Sequence, residues 1–225
     1  MTASLEVRQA ALTTHQDAVR GCRRCVKAGF IESAFPIFRG HAGQRIMVVG
    51  QAPGVRRDEH PEPYRGASGR LLARWFERAG FPAGSLHDYC YLTSITKCFP
   101  GPSRSGKGDR APSPAEIKLC APNLEGELGL VRPKVILTLG LLAGRRFTSP
   151  PRRPLDQLVG QSFGWRDAVV IPLPHPSGVS RWLNDPEHQA LLDRALEALD
   201  RLRREDDLTP IQVQPSVHVQ PKRTA

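Results

Sequence analysis

Four of the five cysteines in this 225-residue chain could bind a metal through their thiolates. Cys22 and Cys25 form a C-x-x-C near the amino terminus, and Cys98 and Cys120 lie far downstream with 21 residues between them. A C-x-x-C and two distant cysteines can together hold one four-thiolate centre. Zinc ribbons usually join two close C-x-x-C turns, so the wide second pair favours an iron–sulfur cluster but leaves tetrathiolate zinc open. The fifth, Cys90, falls in a predicted strand and is interpreted as a small core residue.

Two polar loops carry groups that could stabilise a departing anion. The run 50–54, GQAPG, is rich in glycine and proline, as expected of a rigid turn that exposes backbone N–H groups. His175 stands between two prolines that restrict where its imidazole points, and it could donate a hydrogen bond to a carbonyl that gains charge. Tyr64 could stack on a base or pack beneath its own loop. Each feature is weak alone, because lone histidines and Gly/Pro junctions are usually structural.

The charge of the chain favours a polyanionic partner. The formal net charge is +10 and the sequence pI is about 10.0. Such an excess promotes binding through counterion release and electrostatic steering. Basic residues cluster in two places, which are Lys97, Arg104, Lys107 and Arg110 around the single Asp109, and Arg145, Arg146, Arg152 and Arg153. This clustering predicts nucleic-acid binding, with a merely solvated basic face as the alternative.

Hydrophobic patterning predicts strands that alternate with helices. Predicted strands cover 46–50, 89–96, 135–139 and 168–173, and predicted helices cover 5–20, 68–79, 114–128, 140–147 and 185–203. This alternation predicts an α/β fold, a three-layer αβα sandwich with a central, mainly parallel four-stranded sheet. Ligand crevices in such sheets lie at the carboxyl ends of strands. The loops 50–66, 93–98 and 174–184 are therefore expected to build one site.

The chain is expected to form one domain over residues 1–205, followed by a polar, disordered tail at 206–225. No stretch of 18 apolar residues occurs, so no membrane-spanning helix is predicted. The amino terminus lacks a signal-peptide core, which predicts a cytoplasmic location. In that reducing compartment, the cysteines are expected to be metal ligands rather than disulfides.

Together these segments resemble the iron–sulfur branch, often called family 4, of the uracil-DNA glycosylase superfamily. The resemblance runs in the same order from about residue 22 to residue 184. The matching segments are the C-x-x-C at 22–25, the loop 50–54 for G-E-x-P-G, 63–66 for P-F-x-G, 93–98 for T-N-x-x-K-C, 120–124 for C-x-P-x-L, and 175–177 for H-P-[SA]. Six ordered segments are more specific than any one of them.

The resemblance implies a monofunctional DNA glycosylase that flips a damaged base into a pocket and hydrolyses its bond to deoxyribose. It implies that the ring of Tyr64 stacks on the flipped base and that His175 stabilises the oxygen of the departing base. Gly50, Ala52 and Ser94 would bind the edge of the base. A monomer is expected, since base excision needs no second subunit.

The resemblance also implies a structural 4Fe-4S cluster and a DNA-binding face around the crevice. The cluster ligands would be Cys22, Cys25, Cys98 and Cys120. The DNA contacts would be Arg104, Lys107 and Arg110 in the basic loop, and Ser177 and Arg181 after the histidine.

Two positions depart from the family pattern. Gln51 replaces a catalytic carboxylate and cannot act as a general base, although its amide could orient a water; Asp58 and Glu59 lie nearby in sequence. Ser94 replaces the asparagine that reads the uracil edge. The leading interpretation is a glycosylase for uracil or a related deaminated or oxidised base, acting in base-excision repair. The alternatives are a catalytically weak lesion or single-strand sensor, and an unrelated nucleotide-binding α/β protein with zinc.

Overall fold

A five-stranded sheet with the order β2-β1-β3-β5-β4 forms the centre of the protein. The structure is a computed structural model that describes residues 4–55, 62–103, 108–149, 152–177 and 181–213. The strands are β1 (Ile46–Gly50), β2 (Cys90–Ser94), β3 (Val135–Leu139), β4 (Phe163–Trp165) and β5 (Ala168–Leu173). All neighbouring strands pair in parallel except β4, which is antiparallel to β5. The predicted α/β class and three-layer sandwich are confirmed, with one strand more than expected.

Helices cover both faces of the sheet. They are α1 (Leu5–Arg20), α2 (Arg24–Lys27), α3 (Ala67–Arg78), α4 (Leu86–Tyr89), α5 (Pro114–Val131), α6 (Gly140–Phe147) and α7 (Pro186–Glu205), with short 3-10 helices at Leu155–Gln157 and Trp182–Asn184. The long helices match the predicted ones within a few residues. Helix α3 begins at Ala67, one residue before its predicted start. Within the described ranges, no helix is long and apolar enough to cross a membrane.

The side chains of β1 alternate between two hydrophobic cores. Ile46 and Val48 belong to the core that α3 and α7 cover. Met47 and Val49 belong to the core that α1, α5 and α6 cover. All of β1 is buried, as expected for a central parallel strand with helices on both faces.

Strand β4 corrects the predicted count of four strands. It forms a hairpin with β5 in which Phe163 pairs with Val170 and Trp165 pairs with Ala168. A strand of three residues, with an exposed glycine between two half-buried aromatic residues, shows no hydrophobic alternation long enough to detect. Sequence patterning therefore misses it.

Residues 206–213 correct the expectation of a disordered tail that begins at residue 206. Leu208 is 2% exposed and belongs to the core beneath α7. The Ile211 N–H donates to the Gly43 carbonyl at 3.0 Å, and the Arg45 guanidinium donates to the Asp207 carbonyl at 2.6 Å. These contacts hold the segment against the domain. The rest of the expected tail, 214–225, lies outside the described residues.

Helix α5, which carries Cys120, has a well-defined start. The Ser113 hydroxyl accepts from the Glu116 N–H at 3.3 Å, and the Glu116 carboxylate accepts from the Ser113 N–H at 2.8 Å. This capping box satisfies two backbone donors, and Pro114 occupies the first turn, where an N–H has no partner to lose. The Glu116 carboxylate also binds the Arg110 guanidinium bidentately at 2.7 and 2.8 Å. The start of α5 and the preceding loop are thus fixed together.

Candidate functional site

The loops that follow the parallel strands meet at one edge of the sheet. Strands β1 and β2 end side by side in register, and β5 ends shortly before His175. Beyond β2 the chain turns back toward the first loop. The N–H of Ile95 donates to the Gly50 carbonyl at 2.9 Å, and the N–H of Thr96 donates to the Gln51 carbonyl at 3.2 Å. The first loop is therefore held by the backbone of the second.

Tyr64 lies against the end of β1. A β-carbon on Gly50 would lie 2.5 Å from the Tyr64 hydroxyl oxygen, so only glycine leaves room for the phenol. Tyr64 has φ 60°, a left-handed conformation that is unusual for a bulky residue. Gly69 of α3 permits this conformation, because a β-carbon there would overlap the Tyr64 carbonyl. The side chain is half-buried against the core, and burial raises the pKa of its hydroxyl far above the ordinary value.

His175 follows the end of β5 and lies beside the start of α6. A β-carbon on Gly140 would lie 3.4 Å from the His175 Cβ, and Gly140 has φ 80°. The Ser177 N–H donates to the His175 carbonyl at 2.9 Å, which closes a tight turn. Desolvation by the surrounding protein lowers the pKa of the imidazole, and the negative charge of Asp109 opposes this effect. The exposed ring is therefore mainly neutral at pH 7 and can donate one N–H.

Asp109 is an acidic residue of the site that sequence reasoning missed. In sequence it only interrupts a basic loop. In the structure it pairs with Pro102 in an isolated antiparallel bridge, which folds the loop back on itself. Its Oδ2 lies 3.4 Å from the position that a β-carbon on Gly54 would take, and its charge reaches His175. The tertiary fold therefore places a carboxylate beside the loop that carries Gln51.

The hydroxyl of Ser94 is engaged inside the strand-end turn. Ser94 is 4% exposed, and its Oγ donates to the Thr96 carbonyl at 2.7 Å. A hydroxyl has one proton, so Ser94 keeps only lone pairs to offer to a base. An asparagine at this position would provide both a donor and an acceptor.

The four thiols predicted as metal ligands line one cavity. None of the cysteines forms a disulfide. The cavity has a volume of about 20 Å³, and its walls include Cys22, Cys25, Cys98, Cys120, Ile31 and Pro36. Burial, followed by the charge of Cys120, raises the pKa of Cys25, and the same causes raise the pKa of Cys98 to about 12. Thiolates that repel one another in this way are stabilised when they share a cationic centre.

Donors from two helices and one loop surround these thiols. Arg24 Nε donates to Cys22 Sγ at 3.4 Å, and Arg24 also donates to the Asn123 side-chain oxygen at 2.5 Å. Asn123 Nδ2 donates to Cys120 Sγ at 3.6 Å, and the Lys97 N–H donates to the same sulfur at 3.4 Å. Burial raises the pKa of Cys22, but the hydrogen bonds and charge of Arg24 outweigh it, so the net shift is downward.

The two candidate metal centres need different spacings of the thiols. A single zinc ion at about 2.3 Å from each sulfur would draw four sulfurs to within about 3.8 Å of one another. A four-iron cluster spreads its thiolates over four metals and needs a wider cavity. Among the residues that the structure describes, no three His, Cys, Asp or Glu side chains are grouped so that they could hold a metal ion.

The predicted DNA contacts differ in their surroundings. The guanidinium of Arg110 is bound bidentately by Glu116 rather than left to phosphate. Ser177 is half-buried in the histidine turn, and Arg181 is exposed at the start of a 3-10 helix. Four residues named in the sequence analysis lie outside the described part of the chain: Arg104, Lys107, Asp58 and Glu59.

Comparison with known proteins gives one consistent family. A model described as the uracil DNA glycosylase superfamily matches residues 38–200. A type-4 uracil-DNA glycosylase from Sulfurisphaera tokodaii is 28% identical over 199 residues, which cover 83% of this chain and 82% of the relative. One from Saccharolobus solfataricus is 32% identical over 172 residues, with 72% and 73% covered. One from Archaeoglobus fulgidus is 30% identical over 174 residues, with 72% and 79% covered.

Proposed function

Because this chain belongs to the uracil DNA glycosylase superfamily and is a DNA glycosylase, we propose that it flips a damaged base out of DNA and hydrolyses the bond from that base to deoxyribose. The substrate is uracil or a related deaminated or oxidised base, and the enzyme is monofunctional. The observation that carries this proposal is the meeting of Tyr64, His175 and the 50–54 loop at one sheet edge. A flipped base needs a stacking surface, hydrogen-bonding groups and a donor for its leaving charge, and this edge offers all three.

Binding of the base falls to Tyr64 and the first loop. The ring of Tyr64 stacks on the flipped base, an interaction worth about 1–3 kcal/mol. Backbone groups of Gly50 and Ala52 bind the edge of the base. Ser94 contributes an acceptor only, because its proton is engaged by Thr96. This incomplete edge recognition supports a substrate range that is not restricted to uracil.

His175 acts on the leaving base. As the bond between C1′ and the base nitrogen breaks, the bonding electrons move onto the base and its carbonyl oxygen becomes negative. A neutral imidazole donates its N–H to that oxygen, which lowers the energy of the transition state. The lowered pKa of His175 suits this role, because it favours the neutral ring, which donates a hydrogen bond through its one N–H.

A water attacks C1′ from the opposite side of the sugar, with Gln51 and Asp109 as its partners. The amide of Gln51 orients the water by hydrogen bonds but cannot take its proton. The carboxylate of Asp109, beside Gly54 of the same loop, accepts that proton. Solvent then protonates the released base. General-base assistance of this kind contributes about 10²–10⁴-fold in rate.

The four thiols hold a structural 4Fe-4S cluster. Cys22 and Cys25 come from the amino-terminal segment, Cys98 follows β2, and Cys120 lies on α5. When bound, the cluster supplies a cross-link between these three parts of the chain. Arg24 and Asn123 donate to the thiolate sulfurs and thereby stabilise their charge.

Contact with the DNA strand comes from the exposed face around the histidine turn. Arg181 and Ser177 approach the phosphates, and the net charge of +10 draws the polyanion toward the protein. We also expect Arg104 and Lys107, which lie outside the described residues, to bind phosphates. Arg110 contributes less than its charge suggests, because Glu116 already neutralises it. The enzyme works as a cytoplasmic monomer.

A cleavage assay on a panel of lesions tests this function. Protein whose iron has been quantified is incubated with single- and double-stranded oligonucleotides that contain uracil, other deaminated bases or oxidised bases, and abasic sites are then counted. The His175→Ala variant should lose cleavage while keeping nearly the parent affinity for DNA. Absence of abasic sites on every lesion would reject the proposal.

A second function, a catalytically weak sensor of lesions or single strands, is favoured by one pair of observations. Gln51 is an amide, and the Ser94 proton is already engaged. Tight, salt-sensitive DNA binding without turnover, not improved by Gln51→Glu, would support the sensor.

A further inference from the structure

Beneath the site, a lysine and a glutamate form a fully buried ion pair that the proposed reaction does not use. Lys97 follows the end of β2 and Glu127 lies in the second half of α5. Their side chains are 1% and 0% exposed, and Lys97 Nζ lies 2.7 Å from Glu127 Oε2. Charged groups are rarely buried so completely, because removing two ions from water costs several kcal/mol each before they attract one another.

Each of the three protons of the Lys97 ammonium has a hydrogen-bond partner, two of them at the end of β2 and one on α5. Lys97 Nζ donates to Glu127 Oε2 at 2.7 Å, to the Ser94 carbonyl at 2.7 Å and to Thr93 Oγ1 at 2.5 Å. The Thr93 hydroxyl in turn donates to Glu127 Oε2 at 2.7 Å. The ammonium thus fixes the direction of the Ser94 carbonyl.

That carbonyl belongs to the peptide that orients the next amide, Ile95 N–H. The amides of Ile95 and Thr96 bind the carbonyls of Gly50 and Gln51 at 2.9 and 3.2 Å. A rotation of the Ser94–Ile95 peptide would therefore shift the loop that carries Gln51. The ion pair is connected to the catalytic loop through one peptide and two hydrogen bonds.

Stabilisation of the fold is a poor explanation for this buried ion pair. Buried ion pairs can often be replaced by uncharged residues of similar size without loss of stability, whereas removal of one partner is strongly destabilising. A buried pair whose cation donates to the Ser94 carbonyl at the end of a strand is better explained by what it positions.

We propose that Lys97 and Glu127 are positioning residues for base release, which orient the Ser94–Ile95 peptide and thereby hold the Gly50–Gln51 carbonyls and the Gln51 side chain in place. This role rests on the proposed glycosylase function. The two residues touch neither base nor water. They act through the backbone between β2 and the first loop.

The test removes both charges at once. In the double variant Lys97→Met/Glu127→Gln no unpaired charge is buried, so the fold and the thermal midpoint should stay close to those of the parent. The single-turnover rate of base release should fall about 10²-fold, the loss expected when a reacting group is displaced by about 1 Å. The dissociation constant for lesion DNA should change little, because the DNA-facing residues are untouched.

Amide hydrogen exchange provides a readout that does not depend on activity. Exchange at Ile95 and Thr96 should accelerate in the double variant, because their bonds to Gly50 and Gln51 loosen. In the control Leu196→Ala, which opens a cavity in the core on the face of the sheet opposite to α5, exchange at both amides should match that of the parent once any change in global stability is subtracted. The exposed pair Arg78–Asp193, removed as Arg78→Met/Asp193→Asn, controls for loss of an ion pair as such.

The outcomes separate positioning from stability. A double variant with the parent rate and parent exchange at Ile95 and Thr96 would overturn the proposal. So would a loss of rate that follows a loss of bound iron, because the pair would then act by retaining the metal. If the double variant does not fold, Thr93→Val, which removes one hydroxyl at nearly constant volume, should lower the rate in the same direction, and an unchanged rate there would overturn the proposal. If the parent releases no base from any lesion, the proposed function fails, and the exchange measurement alone decides the positioning role.

Discussion

At the scale of the residue, the site is defined by how few of its groups remain available for a base and a water. The Ser94 proton is engaged by Thr96, and Gln51 cannot accept a proton. His175 is kept mainly neutral because desolvation lowers its pKa. The one described carboxylate shown to act on His175 is Asp109. In the proposed mechanism, His175 therefore stabilises the charge of the leaving base, and Asp109 accepts the proton of the water.

The pKa of His175 should report directly on Asp109. We expect the imidazole to titrate below 6.5, since burial disfavours the charged form. Asp109→Asn removes a nearby negative charge that favours the imidazolium, so the pKa of His175 should fall further. NMR titration of the ring protons measures both values. Asp193→Asn, which removes an exposed carboxylate of α7 that pairs with Arg78, is the matched control and should leave the titration unchanged; a rise in the pKa of His175 in Asp109→Asn would contradict the placement of the carboxylate.

Activity should respond to the same carboxylate. Asp109→Asn should lower the single-turnover rate by about 10²–10⁴-fold, the usual size of a general-base contribution. Adding Gln51→Glu to that variant should restore much of the rate, because the first loop then supplies a carboxylate in place of the one lost at Asp109. Parent activity in Asp109→Asn would remove Asp109 from the mechanism. Failure of the added glutamate to restore the rate would instead show that the two positions do not reach the same water.

At the scale of the element, glycines allow the first loop and α3 to approach Tyr64. The phenol lies over Gly50 at the end of β1, and the Tyr64 backbone lies against Gly69 of α3. The two contacts differ in which atoms must move when a methyl group is added to the glycine. At Gly50 a new methyl group meets the far end of a side chain, whereas at Gly69 it meets backbone.

Alanine substitutions at these glycines should therefore separate activity from stability. Gly50→Ala should fold with a small loss of stability but lose about 10²-fold in rate, because the displaced ring no longer stacks. Gly69→Ala should lower the thermal midpoint markedly, because the backbone cannot yield. Gly164→Ala is the matched control, since nothing lies within 4 Å of the new carbon on that strand glycine. Equal losses of rate in Gly50→Ala and Gly164→Ala would contradict the role of Tyr64.

At the scale of the whole molecule, the four thiols come from parts of the chain that lie far apart in sequence. The segment 22–37 contains one four-residue helix, α2. Its hydrogen bonds to the rest of the protein include one from the Ile37 N–H to the Lys97 carbonyl at 2.8 Å, one from Arg24 to the Asn123 side-chain oxygen at 2.5 Å and one from Arg110 to the Phe30 carbonyl at 3.2 Å. A metal centre would tie it to α5 and to the end of β2. The core residues of both faces lie elsewhere, so the sheet does not depend on this centre.

Removal of one thiol should test whether the sheet folds without the metal centre. Cys25→Ser should reduce bound iron from about four per chain to near zero. The 22–37 segment should become sensitive to protease, while the far-ultraviolet circular dichroism of the sheet and long helices persists. Cys90→Ala, which alters a buried cysteine of β2 outside the cavity, is the control and should retain its iron. Stoichiometric zinc in the purified parent would contradict the cluster.

The sequence by itself determined the order of strands and helices, the layer architecture and the residues with reactive side chains. Those features depend on periodicity and local chemistry, such as the apolar run of β1 and the C-x-x-C. The three-residue strand β4 and the packing of Leu208 escaped prediction because each depends on a partner distant in sequence. The same reason applies to function. Only the tertiary structure brought Asp109 to Gly54, engaged the Ser94 proton and buried Lys97 against Glu127. Such contacts join residues that no local spacing relates, and they decide which of the reactive groups remain free to act.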